Sequence, residues 1–81
     1  MYEPKDESIP VIVEFNRFRF PHVKQVFWRY DWHKIIEQSL VTKAEQGGVL
    51  VWIFYISTER FAFKVKFDTL ALKWYLIELT W

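Results

Sequence analysis

Cysteine is absent from this sequence of 81 residues, glycine occurs only twice, and the charges nearly cancel to a net +1. Without cysteine the chain forms no disulfides, and with two histidines it cannot assemble the Cys and His ligands of the common structural zinc sites. A net charge this small attracts neither nucleic acid nor a membrane over the whole surface, so any electrostatic attraction must be local. A chain this short must therefore be stabilised by dense packing or by association with another subunit.

Long hydrophobic runs are also missing. The longest, Val49 to Ile56, falls well short of the roughly 20 residues that a membrane-spanning helix requires. Residues 1–8 carry acidic side chains and no apolar stretch, which is unlike a secretory signal peptide. We therefore expect a cytoplasmic protein with no membrane partner, in which residues 1–8 form a flexible N-terminal arm and residues 9–81 a single small β domain.

Aromatic residues, by contrast, are abundant: they make up 21% of the chain and include five tryptophans, which favours a densely packed core. Strand alternation is clearest in 61–67. It places Lys64 and Lys66 in solvent and the following residues in the core: Phe61, Phe63, Val65 and Phe67. Apolar runs at 49–57 and 73–79, separated from it by short breaks, predict hairpins. We predict an all-β fold: a five- or six-stranded antiparallel meander, strongly curved or closed into a small barrel.

The segment 32–46 admits two interpretations. Asp31 could cap a helix that Gly47-Gly48 ends, and the apolar spacing within the segment roughly matches a helix. Against this, Ile35-Ile36 and Val41-Thr42 are β-branched, and two glycines directly before an apolar run are typical of a hairpin turn. The pattern favours a strand, with one short helix within 32–46 as the alternative.

The closing strand predicts self-association. It carries large apolar side chains on both faces, and only one face can pack in the core of a single sheet. The other face requires a cover. If 32–46 is a helix, it could cover this face within one chain; if it is a strand, we expect the cover to be a second copy of the chain in a two-fold dimer, or another protein. The candidate interface residues share one face by alternation: Tyr75, Ile77, Leu79 and Trp81.

No catalytic or cofactor-binding motif is evident. Asp31 and His33 share a face of a strand, as a carboxylate and a general base would, but Ser39 is too far along the strand to join them. The spacing of His22 and His33 matches no metal motif, and Gly47-Gly48 lacks the lysine and hydroxyl of a phosphate loop. We expect no enzyme activity, cofactor, metal or small-molecule substrate.

The stretch 17–34 combines positive charge with aromatic residues. It holds five basic residues against one acidic residue, a local net charge of +4, interleaved with phenylalanine, tryptophan and tyrosine. This composition is found in grooves that stack bases and follow phosphates, although small β domains also carry such residues for structural reasons. The candidate contacts with a protein or nucleic-acid partner are Arg17, Arg19, Lys24, Trp28, Arg29 and Trp32.

The order of several aromatic motifs resembles that of a known family. Phe27-Trp28-Arg29-Tyr30 and Trp32-His33-Lys34-Ile35 are followed by a strand with Trp52, then by 61–68 and Trp74-Tyr75-Leu76. This order is similar to an uncharacterised bacterial family of small all-β proteins, in which an F-x-W-R-G-R-x-Y-like segment precedes a closing W-x-L strand. Tyr30-Asp31 stand where that pattern has glycine and arginine. Similar domains occur at the C-terminus of some Y-family-like DNA repair polymerase homologues, so the resemblance implies a role near DNA through Trp28, Arg29 and Trp32.

These observations favour a non-catalytic module that binds a protein or associates with itself. The alternative is a nucleic-acid-associated accessory domain that uses a basic and aromatic face. One continuous basic face would favour nucleic acid, whereas scattered basic residues beside an exposed apolar patch would favour a protein partner.

Overall fold

The computed structural model describes residues 2–15 and 21–80, which form eight strands in two antiparallel sheets. In chain order the strands are β1 (Tyr2–Ser8), β2 (Val11–Glu14), β3 (His22–Trp28), β4 (Asp31–Lys34), β5 (Glu37–Gln46), β6 (Val49–Ser57), β7 (Ala62–Asp68) and β8 (Lys73–Thr80). The large sheet has the order β1-β8-β7-β6-β5, and the small sheet has the order β2-β3-β4.

The prediction of an all-β antiparallel fold is confirmed, and β5 to β8 are successive neighbours in the five-stranded sheet, but the prediction of a closed barrel is wrong. The strands are divided between two sheets that do not close into a barrel. The described residues contain no helix, and the ambiguous segment forms β4 and β5. Gly47 (φ 59°) and Gly48 (φ 81°) make the two-residue turn between β5 and β6, where left-handed backbone is required at both positions.

Residues 2–8, for which we expected a flexible arm, instead form β1 and pair with β8, from Tyr2 opposite Thr80 to Ser8 opposite Tyr75. The segment has no apolar pattern because it is an edge strand, whose polar composition discourages further pairing. The register shifts between Pro4 and Glu7, and proline lacks the N–H that a continuous ladder would need.

The core lies between the two sheets. Phe63, Val65 and Phe67 are buried there as predicted, and Lys64 and Lys66 lie on the opposite face of β7. Phe61 is only partly buried but packs against the core, with its ring stacked 5.9 Å from that of Phe63. The other buried members of the core cluster are Ile9, Val23, Val26, Phe54, Ile56, Trp74, Leu76 and Leu79.

A bulge in β8 contradicts part of the predicted dimer interface. Lys64 pairs with Glu78 and Val65 with Leu76, so Ile77 is an extra residue in the ladder. This insertion reverses the alternation after it, and Leu79 joins Leu76 in the core with no exposed surface. Leu79 therefore cannot form an interface; Tyr75 and Ile77 are half-buried, and Trp81 lies outside the described residues.

Side-chain hydrogen bonds join the two sheets. Gln38 on β5 accepts from the Val23 N–H through Oε1 (2.7 Å) and donates through Nε2 to the Pro21 carbonyl (2.8 Å). The Gln38 side-chain amide thus bonds the backbone at the start of β3, where β4 no longer pairs with it. The Ile9 N–H, just after β1, donates to the Trp74 carbonyl at 3.0 Å and so extends the β1–β8 pairing. The Gln38 amide ties the small sheet to the large one.

Candidate functional site

The hairpin between β3 and β4 turns through two bulky residues. Arg29 (φ 52°) and Tyr30 (φ 67°) both have left-handed backbone, which is normally supplied by glycine or asparagine in a two-residue hairpin. The Tyr30 side chain is 98% exposed. His33 Nε2 lies 2.9 Å from the Trp28 carbonyl oxygen and donates to it when that nitrogen carries the proton. The turn therefore presents a tyrosine to solvent on a strained backbone.

Trp28 and Arg29 belong to the edge of the core. The Trp28 ring meets that of Phe63 edge-on, with centroids 6.1 Å apart. The Arg29 guanidinium carbon lies 5.6 Å from the Trp28 ring centroid and 5.8 Å from that of Phe61. Trp28, predicted as a contact residue, thus points inward and supports the hairpin, while Arg29 covers its ring from the solvent side.

The solvent face of the small sheet carries an apolar surface. Phe27 and Trp32 are directly opposite each other, with ring centroids 5.4 Å apart in an edge-on arrangement, and Trp32 is 42% exposed. Ile12, on the same face, is 46% exposed. The register also places Gln25 opposite both Ile12 and Lys34. We name this surface the small-sheet patch; its residues are Ile12, Gln25, Phe27, Trp32 and Lys34.

The described basic residues do not form one continuous face. Lys24 lies beside the register shift between β2 and β3, and its ammonium group is 3.2 Å from a Glu14 carboxylate oxygen. Arg29 lies over Trp28, and Lys34 lies on the small-sheet patch. Arg17 and Arg19 lie outside the described residues. Of the four predicted contact residues that the structure describes, Trp32 alone lies on the patch.

Sequence reasoning missed four residues of this surface: Ile12, Gln25, Phe27 and Lys34. Each lies in a strand with the alternation of a half-exposed element. They become neighbours only through the β3–β4 hairpin, whose turn is Arg29-Tyr30. That dipeptide lacks the Asn-Gly signal by which such hairpins are usually recognised.

A groove of about 420 Å³ runs along β4 on the side away from β3. It is lined by the whole of β4, by Ile36 and by Thr58–Arg60 of the β6–β7 loop. The loop is pre-ordered, because Thr58 Oγ1 accepts from the Arg60 N–H (3.2 Å) and the Phe61 N–H (3.0 Å). We name this feature the β4 groove.

The solvent face of the large sheet shows a different surface, in which lysines cover tyrosines. The Lys64 ammonium lies 5.7 Å from the Tyr55 ring centroid, and the Lys66 ammonium lies 5.1 Å from that of Tyr75. Their aliphatic stems shield the apolar face that we expected a second subunit to cover. Tyr55 remains 45% exposed, comparable to Trp32.

Asp31 and His33, which share a face of β4, each have another partner. The Asp31 carboxylate accepts from the backbone N–H of Trp32 at 2.8 Å, and the His33 ring lies against the Trp28 carbonyl and 5.6 Å from the Phe61 ring. Within the described part of the chain, no three side chains of the kinds that bind metals come together. The same residues include no helix of a length and hydrophobicity suited to crossing a membrane.

The chain matches no protein-family model, no curated protein sequence and no solved structure. The resemblance to the bacterial β family and its DNA repair context therefore stays a prediction, as does the cytoplasmic location.

Proposed function

We propose that this protein is a non-catalytic protein-binding module whose contact surface is the small-sheet patch. The observation that carries the proposal is the Phe27–Trp32 pair, two aromatic rings packed together on a solvent face beside the exposed Ile12. Tryptophan is among the residues most enriched at the energetic centres of protein interfaces. A rigid cross-strand pair binds with little further loss of side-chain entropy.

The hairpin turn supports the same function. Left-handed backbone at a bulky residue costs on the order of 1–2 kcal/mol, and such strain collects at functional positions. Arg29 and Tyr30 both bear this strain, and the Tyr30 ring contributes almost no burial in return. Tyrosine and arginine are residue types favoured at interfaces, so the turn extends the small-sheet patch at one end.

A binding experiment with matched variants tests this proposal. The full-length chain is immobilised as wild type, as Trp32→Ser and as Tyr55→Ser, and proteins captured from lysates of the expressing cells are quantified by mass spectrometry. Trp32 and Tyr55 are similarly exposed on solvent faces of different sheets, so Tyr55→Ser controls for losing an exposed aromatic ring.

We expect the Trp32→Ser variant to lose at least one captured protein that wild type and Tyr55→Ser retain, whether or not nuclease is added. Identical capture by all three chains would contradict the proposal. Circular dichroism confirms beforehand that the variants are folded.

A nucleic-acid-associated role is the second candidate. Lys34 and Arg60 line the same β4 groove, and Arg29 and Tyr30 lie on the adjoining turn. This places cations and aromatic rings within one region, as single-stranded nucleic-acid sites require. The pairing of Lys24 with Glu14 and the inward position of Trp28 favour the protein partner over this candidate.

A further inference from the structure

The strand β4 has an edge that the described residues leave open. Within the described residues, β4 pairs only with β3, and its other edge faces the β4 groove. Backbone groups in an antiparallel pair alternate between facing the partner and facing away. Because the hairpin closes on the Trp28–Asp31 pair, the backbone groups of Trp32 and Lys34 face away from β3. The Trp32 N–H accordingly donates to its neighbour Asp31.

A second observation concerns how this chain pairs lysine with aromatic residues. Three such pairs stand directly opposite each other on neighbouring strands and bring the ammonium group to 5.1–5.7 Å from the ring centroid. They are Lys43–Trp52, Lys64–Tyr55 and Lys66–Tyr75, one at each ladder from β5 to β8. Trp32 and Lys34 lie together on one face of β4, but they are on the same strand and cannot oppose each other.

We propose that a second copy of this chain pairs with the open edge of β4, antiparallel and about a two-fold axis at His33. The second copy would bind beside the small-sheet patch, which we assigned as the contact surface, so this inference rests on the proposed function. In this register Trp32 of each copy stands opposite Lys34 of the other. Each copy's β4 occupies the other's β4 groove, and the two small sheets become one continuous six-stranded sheet.

Backbone geometry favours this register over its neighbour. With the axis at His33, both Trp32 and Lys34 exchange backbone hydrogen bonds with the second copy. With the axis at Trp32, only Trp32 does so, because Lys34 would face Tyr30 in the turn. The bond from the Trp32 N–H to the Asp31 carboxylate must be given up, and the new backbone bonds replace it.

The chemistry of the side chains fits the same register. Two new lysine–tryptophan pairs form on the solvent face, in addition to the three lysine–aromatic pairs that the chain already makes between neighbouring strands. A two-fold axis perpendicular to the sheet keeps both small-sheet patches on the same side, so they join into one larger apolar surface. The paired edge is only four residues long, which indicates a weak, concentration-dependent dimer.

The absence of cysteine makes a cross-linking test direct. Opposite residues at a non-hydrogen-bonded antiparallel pair have Cα atoms about 4.5 Å apart, within the span that a disulfide bridges. In the proposed register, His33 lies opposite His33 of the second copy at such a pair. The two Lys34 residues do not lie opposite each other, because each pairs with Trp32. We expect mild oxidation to convert His33→Cys to a covalent dimer and to leave Lys34→Cys monomeric. Cross-linking of Trp32→Cys instead would establish the other register and overturn the proposal.

A second measurement avoids dependence on the half-buried His33. Sedimentation equilibrium compares wild type with Lys34→Glu and with Lys73→Glu, an exposed lysine on the large sheet. We expect Lys34→Glu to weaken dimerisation about tenfold or more, because both lysine–tryptophan pairs are lost together, and Lys73→Glu to leave it unchanged. A dimer equally sensitive to both, or to neither, would overturn the proposed contact.

The outcomes also separate this inference from the proposed function. A chain that remains monomeric up to millimolar concentration while Trp32-dependent protein capture persists would overturn the second copy and retain the binding module. A monomeric chain whose capture is indifferent to Trp32→Ser would overturn both.

Discussion

Phe63 shows at the scale of one residue what stabilises so small a domain. Its ring is fully buried between the sheets and contacts the rings of Trp28 and Phe61. Truncation to alanine removes these contacts and leaves a cavity, which costs about 3–5 kcal/mol for phenylalanine. Since proteins are stabilised by only about 0.05–0.15 kcal/mol per residue, this loss is a large part of the total for so short a chain, and we expect Phe63→Ala to melt far below wild type.

Thermal and urea denaturation followed by circular dichroism measures this effect. Leu70→Ala is the control, because Leu70 is a large apolar residue that is 78% exposed. It should change stability by less than about 0.5 kcal/mol. A Phe63→Ala variant that melts close to wild type would mean that the core is not packed as described.

Tyr30 shows the reverse case, a residue that lowers stability. Glycine at this position would relieve left-handed strain of about 1–2 kcal/mol, while its greater freedom in the unfolded chain would cost about 0.5–1 kcal/mol. The tyrosine side chain, 98% exposed, loses little on removal. We therefore expect Tyr30→Gly to raise the free energy of unfolding by about 0.5–1 kcal/mol.

Urea denaturation provides the measurement, with Tyr30→Ala as the control, because alanine removes the ring but keeps the strain. If Tyr30→Gly destabilised the chain, the ring would have a structural contact and the turn would not be evidence for function.

At the scale of strands, alternation was predictable where it is regular. The pattern of β7 placed Phe63, Val65 and Phe67 in the core, and the β-branched residues of 32–46 favoured strand over helix. Alternation failed where a bulge inserts a residue, because the extra Ile77 of β8 is indistinguishable in sequence from a paired residue. That single insertion moved Leu79 from a predicted interface into the core.

Edge strands were the least predictable elements. β1 is polar because it borders solvent, so it gave no signal beyond that of a loose terminus. The small-sheet patch was only partly foreseen for a related reason. Trp32 could be chosen by residue type, but its neighbours Ile12 and Phe27 come from strands whose order alternation does not determine.

At the scale of the whole molecule, aromatic packing takes the place of disulfides and metal. The rings of Phe67 and Trp74 stack 4.6 Å apart, and Trp74 also contacts Phe54 at 5.8 Å. Trp52 meets both Phe54 and Phe67 edge-on. These contacts connect three neighbouring strands of the large sheet, so the abundance of aromatic residues has a structural explanation before any binding role is considered.

The distribution of charge over the molecule limits how it could bind nucleic acid. Three described cations are grouped at the hairpin and the groove: Arg29 lies on the turn, and Lys34 and Arg60 line the β4 groove. If each neutralises one phosphate of a single strand, the logarithm of the binding constant should fall with the logarithm of salt concentration with a slope of about −2.

We expect labelled single-stranded DNA to bind weakly at low salt, with this slope. We expect Arg29→Glu, but not Lys73→Glu, to abolish binding. Fluorescence anisotropy across a salt series measures both. Absence of binding at high micromolar protein would remove the nucleic-acid candidate, and binding indifferent to Arg29→Glu would place the site elsewhere on the surface.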